Sequence, residues 1–214
     1  MRSYGDPCGL SRALDIVGER WSLLIVRELL FGPKRFTDLR AGMPAASPNV
    51  LAQRLRELED AGVLVHCKLP PPGAVSVYEL TARGRELEAA MIHLSRWGSG
   101  TPAIKGAELS NDALMLALKT MFDPQRARGI KMVLDIRLEG ETFRVAVAAG
   151  RIEISRGLAE DADVLIESDG ATLRSLIFGG RSFAEAERRG ALGIDGQNAR
   201  VRHFLQLFTQ PSPR

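Results

Sequence analysis

Two cysteines, Cys8 and Cys67, are all the thiols in 214 residues, and no CxxC pair occurs. That argues against a disulfide-stapled secreted scaffold and leads us to expect a reducing, cytoplasmic setting. No uninterrupted apolar run approaches the ~20 residues needed to cross a bilayer, so membrane insertion is not expected. The opening stretch, MRSYGDPC, has none of the apolar character of a secretory leader. His66, His93 and His203 are not spaced as a metal site. GxGxxG, P-loop, HExxH and GxSxG patterns are also missing. No metal, cofactor or catalytic residue is therefore expected, and the chain does not read as an enzyme. A large charge excess is lacking as well: 29 Lys and Arg face 26 Asp and Glu, for a net charge of +3. Residues 1–97 carry 13 basic against 11 acidic residues, so no basic tail is present. Any affinity for nucleic acid would have to come from where the charges sit, because counterion release depends on the phosphates actually contacted.

What is present is a core-forming composition, 45% hydrophobic, divided by a connector. Residues 98–111 are rich in Gly, Ser, Pro and Asn and lack periodicity, which predicts a linker between a domain at 1–97 and a second at 112–214. The first half reads as helical. A short helix closes at Leu14, Val17 and Gly18, an apolar run from Trp21 to Phe31 stops at Gly32-Pro33, and a third short helix covers Arg35 to Ala41. A helix then opens on Ser47 as N-cap with Pro48 at its first position and ends at Gly62. Two short β runs, Val63–Lys68 and Val75–Leu80, flank a Pro-Pro-Pro-Gly tip and read as a hairpin. A long helix from Thr81 or Ala82 to Trp97 follows. The second half reads as α+β, with strands at 131–138, 142–148, 151–155, 164–166 and 192–194 and helices at 171–178, 183–189 and 198–208.

The helix after Ser47 can be examined by geometry. At about 100° per residue with Leu51 at zero, Leu55 falls at about 40° and Leu58 at about −20°, one apolar stripe. Asn49, Gln53, Arg56 and Asp60 fall between about 140° and about 200°, on the opposite face. Asn or Gln can pair bidentately with adenine and Arg with guanine, so this face suits base reading. It also suits a plain solvated surface. The element order, with a tight turn before and a hairpin after, favours a winged helix-turn-helix bound to double-stranded DNA. Arg54 lies at about −60°, closer to the core edge, and fits a phosphate contact or a local ion pair. Ser47 and Lys68 are further candidates, the latter for phosphate near the hairpin tip. His66 shares a strand face with Lys68 and reads as a surface, packed or sensing histidine.

Several runs carry a family resemblance: CGL at 8–10, LDIVGERWSLLIVREL at 14–29, GPKRFTDL at 32–39, SPNVLAQRLRELEDAGVL at 47–64 and YELTARGREL at 78–87. Residues 8–97 resemble the HxlR-type winged helix-turn-helix transcriptional regulators. The resemblance implies a homodimer that binds short, roughly two-fold symmetric DNA sites, with the first and last helices building the dimer interface. Leu87, Met91, Leu94 and Trp97 form an apolar seam that either serves this interface or packs on its own domain. Cys8 falls where members often carry an N-terminal cysteine. It is a candidate redox sensor or a structural thiol, and neighbouring Asp6 works against a thiolate.

The closing runs GALGIDG at 190–196 and VRHFLQLF at 201–208 resemble sterol-carrier-protein-type domains. That implies a curved sheet covered by helices around a cavity for an apolar small-molecule effector. Candidate lining residues are Phe143, Leu176, Ile177, Phe183, Phe204 and Phe208, each equally readable as plain core. The whole chain is thus expected to be α+β, with the winged helix-turn-helix followed by an effector-binding or dimerisation domain. The alternative is a lipid-like small-molecule carrier or sensor with weak or degenerate DNA binding.

Overall fold

The computed structural model describes residues 3–70, 75–101 and 108–209. The chain forms two compact units, Met1–Met91 and Ile92–Arg214.

The first unit opens with α1 (Gly9–Val17). Cys8 occupies the N-cap position without a side-chain cap bond, and Asp6 before it accepts from the Cys8 N–H at 2.9 Å and the Ser11 hydroxyl at 2.8 Å. Trp21 then turns the chain through left-handed backbone (φ +83°), which few non-glycine residues adopt, and starts α2 (Ser22–Leu29). Helix α2 is buried on nearly all sides by Ile25, Val26, Leu29 and, unusually, Glu28. A short α3 (Phe36–Gly42) follows and then α4 (Pro48–Asp60). Ser47 caps α4 by accepting the Val50 N–H at 3.4 Å, and Leu51, Leu55 and Leu58 form its buried stripe. Gly62 ends it in left-handed backbone (φ +68°), where a side chain would be strained.

The antiparallel hairpin of β1 (Leu64–Lys68) and β2 (Ser76–Leu80) comes next, with Leu64 opposite Leu80. The proline-built tip at 70–73 lies mostly outside the described residues. The expected long helix is interrupted at Glu86, giving α5 (Ala82–Arg85), capped by Thr81, and α6 (Leu87–Gly98). The hairpin is tied back to the turn between α2 and α3 by Lys34, whose N–H and C=O both pair with Tyr78 at 3.0 and 2.8 Å.

The second unit takes in the end of α6 and then α7 (Asn111–Met121), a helix the periodicity did not announce. Leu114, Met115, Leu116 and Leu118 are all buried within a continuous apolar run, which periodicity alone does not assign to helix or strand. A five-stranded mixed sheet follows, in the order β5-β4-β3-β6-β7. Strands β3 (Met132–Leu138), β4 (Glu141–Ala148) and β5 (Arg151–Arg156) form the antiparallel meander. Strand β6 (Val164–Ser168) then pairs parallel to β3, and β7 (Leu192–Gly196) closes the edge antiparallel to β6. Leu134, Ile136, Phe143, Val145 and Ile166 alternate onto one buried face, while Arg137 and Glu167 pair across the other. Helices α8 (Gly170–Phe178), α9 (Phe183–Arg188) and α10 (Asn198–Leu205) complete the unit. The last helix stops three residues short of the expected Phe208, because Phe208 instead forms a β-bridge with Phe122.

One charged contact in the first unit lies fully inside. The Glu28 carboxylate accepts from Lys34 Nζ at 2.8 Å and from the Arg27 guanidinium at 2.8 Å. A Cβ at Gly42 would come within 2.2 Å of a Glu28 oxygen, so α3 can approach this carboxylate only through glycine. Glu28→Ala is expected to cost about 3–5 kcal/mol, since Lys34 would be left charged and buried. Urea denaturation followed by tryptophan fluorescence checks this, and a loss below about 1 kcal/mol would mean that the pair behaves like a solvated surface bridge.

Candidate functional site

The outward face of α4 gathers the candidate reading residues. Ser47, Asn49, Gln53 and Arg56 are all exposed, and half-buried Ala52 adds no bulk beside them. The C-terminal half of the helix is acidic, which on its own would repel phosphate. The fold occupies two of its three carboxylates internally. Glu57 accepts from Gln53 Nε2 at 3.0 Å and forms an ion pair with Arg54, while Glu59 accepts the His66 backbone N–H at 3.1 Å. Asp60 remains exposed at the far end.

Arg54 is placed differently from its neighbours. Its guanidinium is held by Glu57 and by Glu19 at 3.3 Å, and only 16% of the side chain is exposed. Of the two roles open to it on sequence, the local ion pair is the one seen. Its partner Glu19 belongs to the turn after α1, far away in sequence, so no pattern within α4 could reveal the contact.

The hairpin is tied to α4 through Glu59, and its own two strands are joined by a stacked pair the sequence did not single out. The rings of His66 and Tyr78 lie 4.5 Å apart at 14°, on cross-strand partners. Burial, reinforced by nearby Glu59, pushes the Tyr78 phenol above its ordinary range while Arg56 works the other way, so the phenol stays protonated at neutral pH. Lys68 is exposed at the end of β1, opposite Ser76.

Cys8 is exposed at the start of α1. The Cys8 N–H and the Ser11 hydroxyl hold Asp6 below the usual carboxylate range, so a fixed negative charge lies beside the thiol. On α6, Met91 is buried and Leu87 half-buried, whereas Leu94 and Trp97 are 53% and 80% exposed. The seam is therefore divided: Met91 is already covered, and its C-terminal end faces outward.

In the second unit Phe204 and Phe208 meet edge to face at 5.1 Å, joined by Phe122 and Phe178 at 6.3 and 6.4 Å from Phe208. Phe143 is fully buried on β4 under the Arg156 guanidinium, 4.8 Å from its centroid, and half-buried Phe183 lies under Arg202 at 3.9 Å. Ile177 is buried and Leu176 half-buried. Arg156 also joins the fully buried Asp112 at 2.6 Å and Glu141 at 2.7 Å, stapling the start of α7 to the sheet. Among the described residues, no group of three or more His, Cys, Asp or Glu could hold a metal ion. No helix there is long and apolar enough to cross a membrane.

Two known families match successive parts of the chain. The HxlR-like helix-turn-helix family matches residues 16–103, and the alkyl sulfatase C-terminal family, a sterol-carrier-like domain, matches residues 102–214. A helix-turn-helix transcriptional regulator of Synechocystis is 36% identical over 98 residues, 44% of this chain and 70% of that protein. In Bacillus subtilis, the regulator YvaP is 38% identical over 88 residues, 41% of this chain and 82% of that protein. The regulator YodB of the same organism is 34% identical over 88 residues, 41% of this chain and 79% of that protein. The chain thus belongs to the HxlR-like helix-turn-helix family of transcriptional regulators, and its second half is a domain of the alkyl sulfatase C-terminal family.

Proposed function

We propose that this protein is a sequence-specific, homodimeric DNA-binding regulator that places α4 in the major groove and its hairpin on the flanking backbone. The observation that carries this reading is the exposed set Asn49, Gln53 and Arg56 on a helix whose adjacent carboxylates, Glu57 and Glu59, are engaged within the fold. Two amides and a guanidinium in the first turns match the donor and acceptor pattern of adenine and guanine edges. Ser47 and Lys68 serve as phosphate contacts, and Arg54 orders the helix from behind through Glu57 and Glu19. Residues 1–97 act as the DNA-binding domain, 98–111 as the linker and 112–214 as the second domain.

Leu94 and Trp97 supply the dimer contact. They are large, apolar and exposed at the end of α6, as an uncovered interface requires. The second domain takes an apolar effector, with half-buried Phe178 next to the Phe204–Phe208 pair as its entrance. Such a ligand alters regulation only by binding the DNA-competent and DNA-incompetent states unequally.

Selection from random DNA should enrich a defined site. On that site Arg56→Ala is expected to lose about 1–3 kcal/mol and to relax preference at one base position. Lys68→Ala should weaken all sequences alike and lower the salt slope by about one. Unchanged affinity at fixed salt would remove either residue from the interface. Light scattering of the Leu94→Glu, Trp97→Glu double variant should give half the mass of the unsubstituted protein, and an unchanged mass would place the dimer contact elsewhere.

A further inference from the structure

The N-terminal arm, the end of α1 and the exposed flank of α4 line a half-open cavity of about 430 Å³. That is within the size range of small-molecule sites, roughly 300–1,000 Å³. Tyr4, Leu14, Asp15, Glu19, Arg54 and Glu57 form most of its wall. The arm is held in place by Asp15, which accepts from the Ser3 hydroxyl at 3.0 Å and from the Tyr4 N–H at 2.8 Å. The cavity is therefore closed on one side by a segment fixed through its backbone.

The wall's chemistry restricts the occupant. Three carboxylates, Asp15, Glu19 and Glu57, face one guanidinium, so an anion is repelled and a cation attracted. Glu19 binds Arg54 through one oxygen at 3.3 Å, and its side chain is 46% exposed. Tyr4 and Leu14 are both exposed apolar side chains, able to cover a ring, and the face of Tyr4 attracts a cation.

We propose that this cavity binds a small organic ammonium compound, an arylalkyl amine, with its charge at Glu19 and its ring between Tyr4 and Leu14. The site is wired to the proposed reading face. Glu19 and Glu57 share Arg54, and Glu57 also accepts from Gln53 Nε2. An ammonium that draws Glu19 off Arg54 strengthens the hold of Arg54 on Glu57 and changes how Gln53 is presented to a base. This coupling rests on the DNA-reading proposal, whereas binding to the cavity does not.

Calorimetry on the full chain without DNA tests the site, using 2-phenylethylamine as probe and phenylacetate as its anionic counterpart. Saturable one-to-one binding of the amine is expected, with phenylacetate at least about tenfold weaker, as reversing one charge near a carboxylate requires. Glu19→Gln and Tyr4→Ala, each checked for an unchanged melting profile, should weaken amine binding by about five- to tenfold. Absence of saturable binding, equal binding of the two probes, or full binding by both variants would overturn the site. Titrating selected DNA with and without the amine then reads the coupling. An affinity change in the unsubstituted protein that is lost in Glu19→Gln supports it, and amine binding that leaves DNA affinity unchanged overturns the coupling alone. Failure to enrich any DNA site would instead count against the DNA-reading proposal.

Discussion

A fully buried carboxylate, Glu28, fixes the geometry on which the DNA-binding half depends. It takes Lys34 and Arg27 as partners, and Lys34 at the same time pairs its backbone with Tyr78 in the hairpin. One side chain on α2 thereby sets the position of the turn into α3 and, through that turn, of the second hairpin strand. Gly42 lets α3 close over the same carboxylate. Removing two charges from water is costly, and a well-packed apolar pair can be as stable. What the ion pair adds in this fold is a second tie on Lys34, whose side chain is held by Glu28 while its backbone pairs with Tyr78. Glu59 repeats the device on the other side, holding β1 to α4 through the His66 N–H.

This clamp explains how a chain with only a mild charge excess can still present a usable surface for DNA. The acidic residues of α4 are turned to structural tasks. Glu57 organises Arg54 and Gln53, Glu59 anchors the hairpin, and the first turns are left with amides and a guanidinium outward. Affinity then depends on placement rather than on net charge.

The DNA-binding half was legible because its signals are local. Ser47, Pro48, the Leu51–Leu55–Leu58 stripe and Gly62 specify α4 within one segment, and the structure repeats that reading. For Arg54 the local ion pair was legible, with Glu57 one turn on, but its second partner Glu19 was not, because that residue lies on another element. Helix α7 escaped for another reason: its apolar residues run on without a break from Ala113 to Leu118, a pattern that fits a buried strand as well as a helix. The early end of α10 was hidden because the competing partner of Phe208 is Phe122, more than eighty residues away. Local chemistry writes caps, stripes and turns, while pairings between distant elements appear only once the chain is folded.

Methylation interference on a selected DNA site tests the central claim most directly, since it reports which groove the recognition helix occupies. The account predicts that methylating guanine N7, in the major groove, blocks binding at positions read by Arg56, and that these positions recur about one helical turn apart in the two half-sites. Interference confined to adenine N3 in the minor groove, or none at all, would contradict it.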